Sequence, residues 1–470
     1  MSTLRLIHRA ELDGHSPEEV FAWHERPGAL ERLTPPWAHV EVEHREGGIR
    51  DGARVVLRIH HGPASFRWEL RHRDFEPGRQ FRDEQVSGPL KSWVHTHRFL
   101  PRGGGGTVLE DEIELEAPGG LPVGPLYLRG ELARLFAFRY RRLFTDLARH
   151  REHGERARLT VAVTGASGLV GQALTHFLTT GGHRVIRLVR ARGRAGEGVL
   201  HWNPRTGEID AEGLRAADAV VHLAGASIAG GRWTDDRKKV ILESRVQGTG
   251  LLARTLADLG SEGPRVLVSS SAVGFYGNRG DERLDETAAP GRGFLADVAR
   301  AWEAATEPAA RAGVRVVHLR TGVVISPAGG ALGQMLLPFK MGLGGRLGSG
   351  RQYFSWVDLD DLVAAVLHAL YHPTLAGPLN VTAPNAVTNA AFTDALGRVL
   401  GRPTVLPVPA LAVKVAFGQL GEEALLWGQR VVPTKLDRSG FRFFYEGVED
   451  SLRFQLGRAE AISPSSSKRG

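Results

Sequence analysis

The 470-residue sequence contains no cysteine, which excludes disulfide bonds, cysteine-ligated zinc and thiol catalysis. Long apolar runs are also missing, because no stretch approaches the ~20 apolar residues that cross a bilayer. The N-terminus runs straight into polar sequence and has no signal-peptide core. We therefore expect no membrane span, and the missing export signal makes the cytoplasm the expected location.

Lysine is scarce beside arginine, although the net charge is +8. A positive excess of this kind suggests a nucleic-acid partner. Here the arginines are scattered through every segment and interleaved with Asp and Glu, and no basic run carries interleaved aromatic residues. We therefore expect a small-molecule substrate and no nucleic-acid partner. The oligomeric state cannot be read from these features.

The chain length suits two or three domains. Residues 1–150 show no α/β alternation: a strand and a short broken helix come first, and the helix starts at the capping box of Ser16. A long helix with one apolar stripe follows from about Arg129 to His150. Between them lie six strand-like runs, at His39–His44, Ala53–His60, Phe66–Phe75, Phe81–Val86, Ser92–Leu100 and Thr107–Glu116.

This order of elements resembles the helix-grip fold of the START-like polyketide cyclase and lipid-transfer superfamily. The resemblance implies an apolar ligand between the curved sheet and the last helix, and the alternative is that the apolar stripe fills the core. The histidines of this region lack the supporting carboxylates of a metal site, so we interpret them as surface or cavity polar residues. They are His60, His61, His72, His95 and His97.

A polar, glycine-containing linker at 151–157 leads to the motif of residues 159–171, LTVAVTGASGLVG. Alternating β-branched residues predict a buried strand, and the apolar spacing after Gly168 predicts a helix. Gly165 can take the tight turn, Gly168 leaves the backbone open to a pyrophosphate, and Gly171 lets the helix lie close on the sheet. Helix N-terminal amides would then face the phosphates.

A second strand, Arg184–Val189, ends at Arg190, where an NAD site of this kind places an acidic residue for the ribose hydroxyls. Arg192 follows, and the first acid is Glu197. Because a guanidinium can bind a 2′-phosphate through two hydrogen bonds, we predict NADP(H) in preference to NAD(H). The alternative is that Arg190 is a solvated strand end.

A third buried strand, Asp218–Gly225, ends in small residues that let the adenosine side of a dinucleotide approach the backbone. Helical sequence at 235–259 and a strand at Arg265–Val268 follow, and after them comes SSSAVGFYG at 269–277. The predicted cofactor-binding residues are Gly165, Ala166, Ser167, Gly168, Leu169, Val170, Gly171, Arg190, Leu223, Ala224, Gly225 and Arg245.

These motifs resemble the extended short-chain dehydrogenase/reductase superfamily, and more narrowly a family of NAD-dependent epimerase/dehydratase-like proteins that includes some labelled cell-division inhibitors. The resemblance spans about 159–460 and implies a Rossmann-like doubly wound parallel sheet. Family-like segments lie at Gly231–Thr234, Ser244–Val246, Trp302–Ala305, Leu319–Val324 and Gly344–Val357.

The superfamily's proton-transferring Tyr-x-x-x-Lys pair is absent, since no tyrosine has a lysine four residues on. The expected positions fall near Leu295 and Ala299. Three alternatives remain open: an enzyme that uses Ser270, Ser271 or Tyr276 near the nicotinamide, a nucleotide-binding regulator without catalysis, and a two-domain ligand carrier. The predicted catalytic residues are Ser271 and Tyr276.

The C-terminal third offers one further candidate, a glycine-rich loop that leads to Arg351 and Trp356. It could be a lid that offers Arg351 to an anionic group, or Trp356 could lie in the core and Arg351 in solvent. Residues 158–402 are predicted to form the NADP-binding domain, 403–462 the family's C-terminal extension, and 463–470 a disordered tail.

Taken together, the sequence predicts an NADP(H)-binding, epimerase/dehydratase-like oxidoreductase that acts on an unknown small molecule. A START-like domain with a possible apolar ligand precedes the nucleotide domain. The alternative is a regulator without catalysis, for example of cell division, or a two-domain ligand carrier.

Overall fold

The structure, a computed structural model, describes residues 3–62, 64–117, 125–191 and 198–459. Its contacts divide the chain into two compact units that meet in sequence at Arg156 and Ala157. The segment Thr179–Gly182 and the described residues from Phe454 onward, 454–459, group with the first unit. The tail predicted at 463–470 lies outside the described residues.

The first unit is one antiparallel sheet with helices. Its seven strands follow the order β1-β7-β6-β5-β4-β3-β2, so neighbours along the chain are hairpin partners except where β1 closes against β7. The elements are β1 (Leu4–Leu12), α1 (Pro17–Glu25), α2 (Ala29–Leu33), β2 (His39–Glu46), β3 (Arg54–His61), β4 (Ala64–Glu76), β5 (Gln80–Ser87), β6 (Ser92–Arg102), β7 (Gly106–Glu116) and α3 (Pro125–Arg151).

The six predicted strand runs and the closing helix are confirmed, and α3 is longer than its apolar stripe suggested. Ser16 caps α1 by accepting a hydrogen bond from the Glu19 amide, as the capping box predicts. The inner face of the sheet packs on α3 through buried aromatic and aliphatic side chains, which include Phe99, Ile113, Phe136 and Leu143. The predicted α+β helix-grip fold is therefore correct.

The second unit is built on an eight-stranded sheet of order β11-β10-β9-β8-β12-β13-β15-β19, parallel except for β11. Parallel strands joined by helical crossovers, with one apolar core on each face, make it a Rossmann-like doubly wound sheet, as predicted. Its strands are β8 (Thr160–Thr164), β9 (Arg184–Val189), β10 (Val199–Asn203), β11 (Glu208–Ile209), β12 (Ala219–His222), β13 (Val266–Ala272), β15 (Arg315–Thr321) and β19 (Gly377–Val381).

Shorter strands and the helices complete this unit. The strands are β14 (Arg283–Leu284), β16 (Val323–Ile325), β17 (Tyr353–Phe354), β18 (Trp356–Asp358), β20 (Val387–Thr388) and β21 (Arg430–Val431). The helices are α4 (Leu169–Thr180), α5 (Ala211–Leu214), α6 (Asp235–Leu259), α7 (Phe294–Ala304), α8 (Glu307–Arg311), α9 (Gly330–Lys340), α10 (Leu359–Tyr371), α11 (Asn389–Leu400), α12 (Ala410–Phe417), α13 (Thr434–Arg438) and α14 (Val448–Gln455).

The parallel strands bring their carboxyl ends to one edge of the sheet. Thr164 pairs with Leu188 and His222, and His222 pairs with Ser269, so the turns after β8, β9, β12 and β13 open in the same direction. Ligands of doubly wound sheets bind at this edge. Two boundaries differ from prediction: β12 ends at His222, three residues early, and β13 extends through all three serines to Ala272.

The lid predicted around Arg351 and Trp356 is not supported by the positions of these residues. Trp356 is buried, and its indole Nε1 donates a hydrogen bond to the Asn385 carbonyl, whereas Arg351 is exposed. The alternative, Trp356 in the core and Arg351 in solvent, is the correct one. Within the described ranges, no helix combines the length and apolar character that a bilayer crossing needs.

Candidate functional site

The turn between β8 and α4 depends on two glycines. Gly165 has a φ of +67°, a backbone conformation that side chains disfavour. A Cβ at Gly165 would lie 2.9 Å from the Ala224 amide nitrogen, and a Cβ at Gly171 would lie 2.1 Å from the Gly165 carbonyl oxygen. The strand, the turn and the helix can therefore pack this closely only with glycine at both positions.

The first turn of α4 leaves main-chain donors free. The Gly168 amide donates to the Gly165 carbonyl at 2.9 Å, and the first helical hydrogen bond runs from the Gln172 amide to the Gly168 carbonyl at 2.9 Å. The amides of residues 169–171 therefore have no acceptor within the helix. Ala166 is half-buried and Ser167 and Gly168 are exposed, which leaves this turn open to an anion.

The end of β12 is fixed against this turn by the Thr164 hydroxyl. Thr164 Oγ1 lies 2.7 Å from His222 Nδ1 and accepts from the amides of Leu223 and Ala224 at 3.2 and 3.3 Å. Gly225, which follows, is exposed. Leu223, Ala224 and Gly225 thus lie beside the glycine turn, as their positions at the strand end predict.

Arg245 on α6 binds the loop after β12 through hydrogen bonds. Its Nη1 donates to the carbonyls of Ala226 and Ile241, both at 3.0 Å, and its guanidinium lies over the Trp302 ring. Burial lowers the pKa of Arg245 to about 10. Burial, together with the charge of Arg245, lowers the pKa of His222 to about 3, so His222 is neutral. A direct role of Arg245 in cofactor binding stays a prediction.

Arg190 lies directly after β9, at the same sheet edge, and its side chain is exposed. Neither a hydrogen bond nor an ion pair links its side chain to the part of the chain that the structure describes. Arg192 and Glu197 lie outside the described residues. The Arg190 guanidinium is thus available to a ligand.

The two predicted catalytic residues are both tied into internal hydrogen bonds. Ser271, on β13, donates from Oγ to Glu303 Oε1 at 2.7 Å. Tyr276 is fully buried: its hydroxyl donates to Asn380 Oδ1 at 2.7 Å and accepts from Arg320 Nη1 at 3.0 Å. Ser270, by contrast, is half-buried and its hydroxyl has no partner within the described ranges.

Arg320 and Glu303 join these two hydroxyls into one network. Arg320 Nε and Nη2 donate to the two oxygens of Glu303 at 2.8 and 2.9 Å, a bidentate pair, and the guanidinium lies 3.5 Å from the centroid of the Phe275 ring. Our reading of the sequence missed both charges. The signal for them was present, since Glu303 and Arg320 fall in two of the family-like segments.

The pKa of Tyr276 is raised above its ordinary value, chiefly by burial, although the Arg320 guanidinium opposes the change. A proton-transferring tyrosine needs the opposite shift, toward working pH. The catalytic roles of Tyr276 and Ser271 therefore stay predictions, and the contacts found for both residues are structural ones.

Helix α7 carries other residues at the two positions where the resemblance to the superfamily predicts a tyrosine and a lysine. Leu295 is half-buried and Ala299 packs against Tyr276 and Leu284 in a small apolar cluster. The N-terminus of α7 is capped by Glu423, whose two oxygens accept from the amides of Phe294 and Leu295 at 3.1 and 2.9 Å. The C-terminal extension thus supplies the cap for this helix.

One prediction for the first unit is wrong. The histidines of β6 do have carboxylate partners: His95 and His97 are buried between Asp83 and Asp111. The prediction failed because these carboxylates come from β5 and β7, and only the register of the hairpins brings them beside the histidines.

Comparisons with known proteins divide the chain in a similar way. Residues 161–381 match the model of the NAD dependent epimerase/dehydratase family, residues 14–135 match that of polyketide cyclase / dehydrase and lipid transport, and residues 408–455 match a domain of unknown function. An epimerase family protein of Mycobacterium bovis is 47% identical over 302 residues, which are 64% of this chain and 99% of the relative.

Two solved structures are similar. A nucleoside-diphosphate sugar epimerase from Corynebacterium glutamicum matches with a TM-score of 0.80 at 35% identity, and the match covers 97% of this chain and 91% of that one. The human epimerase family protein SDR39U1 (isoform 2), solved with NADPH, matches with a TM-score of 0.56 at 32% identity, over 64% of this chain and 99% of that one.

Proposed function

The chain belongs to the NAD dependent epimerase/dehydratase family, and we propose that it binds NADP(H) and uses it as an epimerase/dehydratase-like oxidoreductase on a small molecule. The observation that carries the proposal is the turn after β8, where a Cβ at Gly171 would lie 2.1 Å from the Gly165 carbonyl oxygen. A backbone this close, followed by free helix amides, suits a diphosphate.

The residues that would hold the cofactor lie along one sheet edge. In this proposal, the main chain of residues 165–171 binds the diphosphate, Leu223–Gly225 lie against the adenosine side, and Arg190 binds the 2′-phosphate. Support for the phosphate comes from the guanidinium of Arg190, which is exposed and pairs with none of the described residues, and from the NADPH in the human SDR39U1 structure. A bound NADPH would supply a hydride to a carbonyl or related group.

The proton that accompanies a hydride needs a donor, and three hydroxyls are candidates. Ser271 and Tyr276 are the predicted catalytic residues, and each would have to exchange an internal hydrogen bond for one with substrate. Ser270 needs no such exchange.

We place the linker between the ligand-binding and nucleotide domains at 151–157. In this proposal the first domain would deliver or sense an apolar ligand.

Titration of intrinsic fluorescence with NADPH and with NADH tests the first layer of the proposal. We expect saturable binding of both, with NADPH at least about 10-fold tighter, because a charge-assisted phosphate contact contributes about 1.5–3 kcal/mol. Equal affinities would refute the role given to Arg190. No saturable binding of either nucleotide would refute the cofactor site itself.

A screen of aldehydes, ketones and nucleotide sugars for NADPH oxidation tests the second layer. Once a substrate is found, Ser270→Ala, Ser271→Ala and Tyr276→Phe separate the candidate donors. We expect at least one variant to lose most of its turnover while NADPH affinity stays unchanged. Activity that survives in both Ser271→Ala and Tyr276→Phe would exclude the predicted pair.

A second candidate function is a nucleotide-binding regulator without catalysis. It is favoured by the missing Tyr-x-x-x-Lys pair and by the burial of Tyr276. NADPH binding with no turnover in the screen, and a change in apolar-probe binding to the full chain when NADPH is added, would support the regulator over the enzyme.

A further inference from the structure

Four ionisable side chains lie together on the inner face of the first unit's sheet. Asp83 is on β5, His95 and His97 are on β6, and Asp111 is on β7. Asp83 pairs in register with His95, and Asp111 pairs with His97. All four are at most 8% exposed. Charged groups are rarely buried to this degree unless they are paired or bind a metal ion.

One side of the two imidazole rings has the spacing of a metal site. Asp83 Oδ1 lies 3.4 Å from His95 Nδ1 and 3.5 Å from His97 Nε2. Ligand atoms held tetrahedrally at about 2.1 Å from a zinc ion are about 3.4 Å apart. Two imidazole nitrogens and one carboxylate oxygen can therefore face one ion, and their candidate ligand atoms all lie within 4.8 Å of one another.

The other side of the rings faces the second carboxylate. Asp111 Oδ1 lies 2.9 Å from His95 Nε2 and 2.6 Å from His97 Nδ1. Metal-bound histidines commonly donate their second ring N–H to a carboxylate, which fixes the tautomer and the ring orientation. Asp111 Oδ1 is placed to accept such a hydrogen bond from His95 Nε2, and it contacts His97 Nδ1 closely without hydrogen-bond geometry.

Aromatic donors orient the two carboxylates in the same manner. Trp93 Nε1 donates to Asp83 Oδ2 at 3.0 Å, and the Tyr140 hydroxyl donates to Asp111 Oδ2 at 2.7 Å. In each carboxylate one oxygen is thereby fixed, and the other is turned toward both imidazoles. An arrangement in which supporting hydrogen bonds set the ligands in advance is what a metal site requires.

We propose that Asp83, His95 and His97 bind one divalent transition-metal ion of the zinc or iron(II) class, and that Asp111 positions both imidazoles. Two nitrogen donors and one carboxylate favour these ions over magnesium or calcium, which prefer oxygen ligands alone. Neither the proposed oxidoreductase activity nor NADP(H) binding is needed for this site.

The charges balance when the ion is bound. Two carboxylates neutralise the two positive charges of the ion, and both imidazoles are neutral. The two ring centroids are 3.8 Å apart, so the two imidazoles lie side by side next to the same carboxylates.

A third histidine provides an independent observation. His72, on β4, pairs in register with Asp83, is buried, and its Nδ1 makes no hydrogen bond with the described residues. A buried ring nitrogen without a partner is costly. A metal-bound water or a fourth ligand on the ion would give it one.

Cobalt(II) titration of the full-length protein, freed of metal with a chelator, tests the proposal. We expect one equivalent to bind with the intense visible absorption of four- or five-coordinate cobalt, and zinc to displace it. A folded protein that binds no stoichiometric cobalt overturns the proposal and leaves an internal network of ion pairs.

Variants assign the ligands. Asp83→Asn and His97→Asn should lose at least about 100-fold in cobalt affinity, and Asp111→Asn about 10–100-fold. His44→Asn, which changes an exposed histidine of the same sheet, is the matched control and should bind as the wild type. Unchanged affinity in a folded Asp83→Asn variant contradicts the assignment. Should the variants fail to fold, the stoichiometry and spectrum of the wild type decide.

Discussion

The two ends of the candidate site contrast in how their polar groups are used. At the turn after β8, the groups offered to a ligand are main-chain amides and an exposed arginine, and Ser167, Gly168 and Gly225 are exposed around them. Around β13, Ser271 and Tyr276 are buried and donate to other side chains. In the proposed site, the turn after β8 presents free donors, whereas the candidate hydroxyls near β13 would first have to give up internal hydrogen bonds. We therefore expect that, if the proposed site binds a nucleotide, changes near β13 can remove chemistry without removing that binding.

The largest effect, a loss of stability, is expected from breaking the buried ion pair of Arg320 and Glu303. Arg320→Leu leaves Glu303 without its bidentate partner and Tyr276 without a donor, so the free energy of unfolding should fall by about 3–5 kcal/mol. Urea unfolding measures this. Arg311→Leu removes an exposed arginine from its pair with Glu307 and should change stability by less than about 1 kcal/mol. Similar losses in the two variants would mean that the buried network stabilises the fold no more than an exposed ion pair does.

The next effect concerns the glycine turn. In Gly171→Ala the new Cβ meets the Gly165 carbonyl oxygen, which should cost about 1–3 kcal/mol and weaken NADPH binding, because the helix must move off the strand. Thermal unfolding and NADPH titration measure the two consequences. Gly130→Ala is the control, since its Cβ meets nothing within 4 Å and alanine suits a helix better than glycine. Wild-type NADPH affinity in Gly171→Ala would remove the turn from the binding site.

Acid should lower the free energy of unfolding through His222, which lies beside the turn after β8. Its pKa, about 3 in the folded chain, lies below the value near 6.5 of an unfolded chain. The contribution of neutral His222 is therefore complete above about pH 6.5 and is lost as the pH falls toward 3, by about 2 kcal/mol at pH 5. Comparing urea unfolding of the wild type and His222→Gln at pH 7 and pH 5 should show that loss only in the wild type, and the exposed His39→Gln should behave as the wild type. An equal acid response in His222→Gln would contradict the assignment.

The smallest and most selective effect is expected at Arg190. Because its side chain is exposed, Arg190→Ala should leave stability unchanged, lower NADPH affinity by about 10-fold and leave NADH affinity as it was. Fluorescence titration measures both affinities. Arg187→Ala removes a neighbouring exposed arginine of β9 and should affect neither. Equal losses for both nucleotides would indicate a general charge effect in place of phosphate recognition.

Features that are local in sequence could be predicted, and features made by distant pairing could not. The strands, the long helix α3 and the glycine turn follow from alternation, helical spacing and glycine positions within short windows. The network at β13 joins Tyr276 to Asn380, 104 residues away, and depends on which strands lie side by side. The order β13-β15-β19 supplies that information, and no periodicity in one segment contains it.

The cluster on the first unit's sheet illustrates the same limit. Alternation along β6 does predict that His95 and His97 share a face. Their carboxylate partners come from two other strands, and a register shift of one residue would turn both aspartates to the opposite face. The turn lengths between β5, β6 and β7 set this register. The sequence pattern alone does not determine the register to within one residue.

A structure of the full chain saturated with NADPH tests the central claim most directly. We predict the diphosphate against the main-chain amides at the start of α4, with the 2′-phosphate within hydrogen-bond distance of the Arg190 guanidinium. An empty turn after β8, or NADPH bound with its diphosphate at another place, would contradict the account.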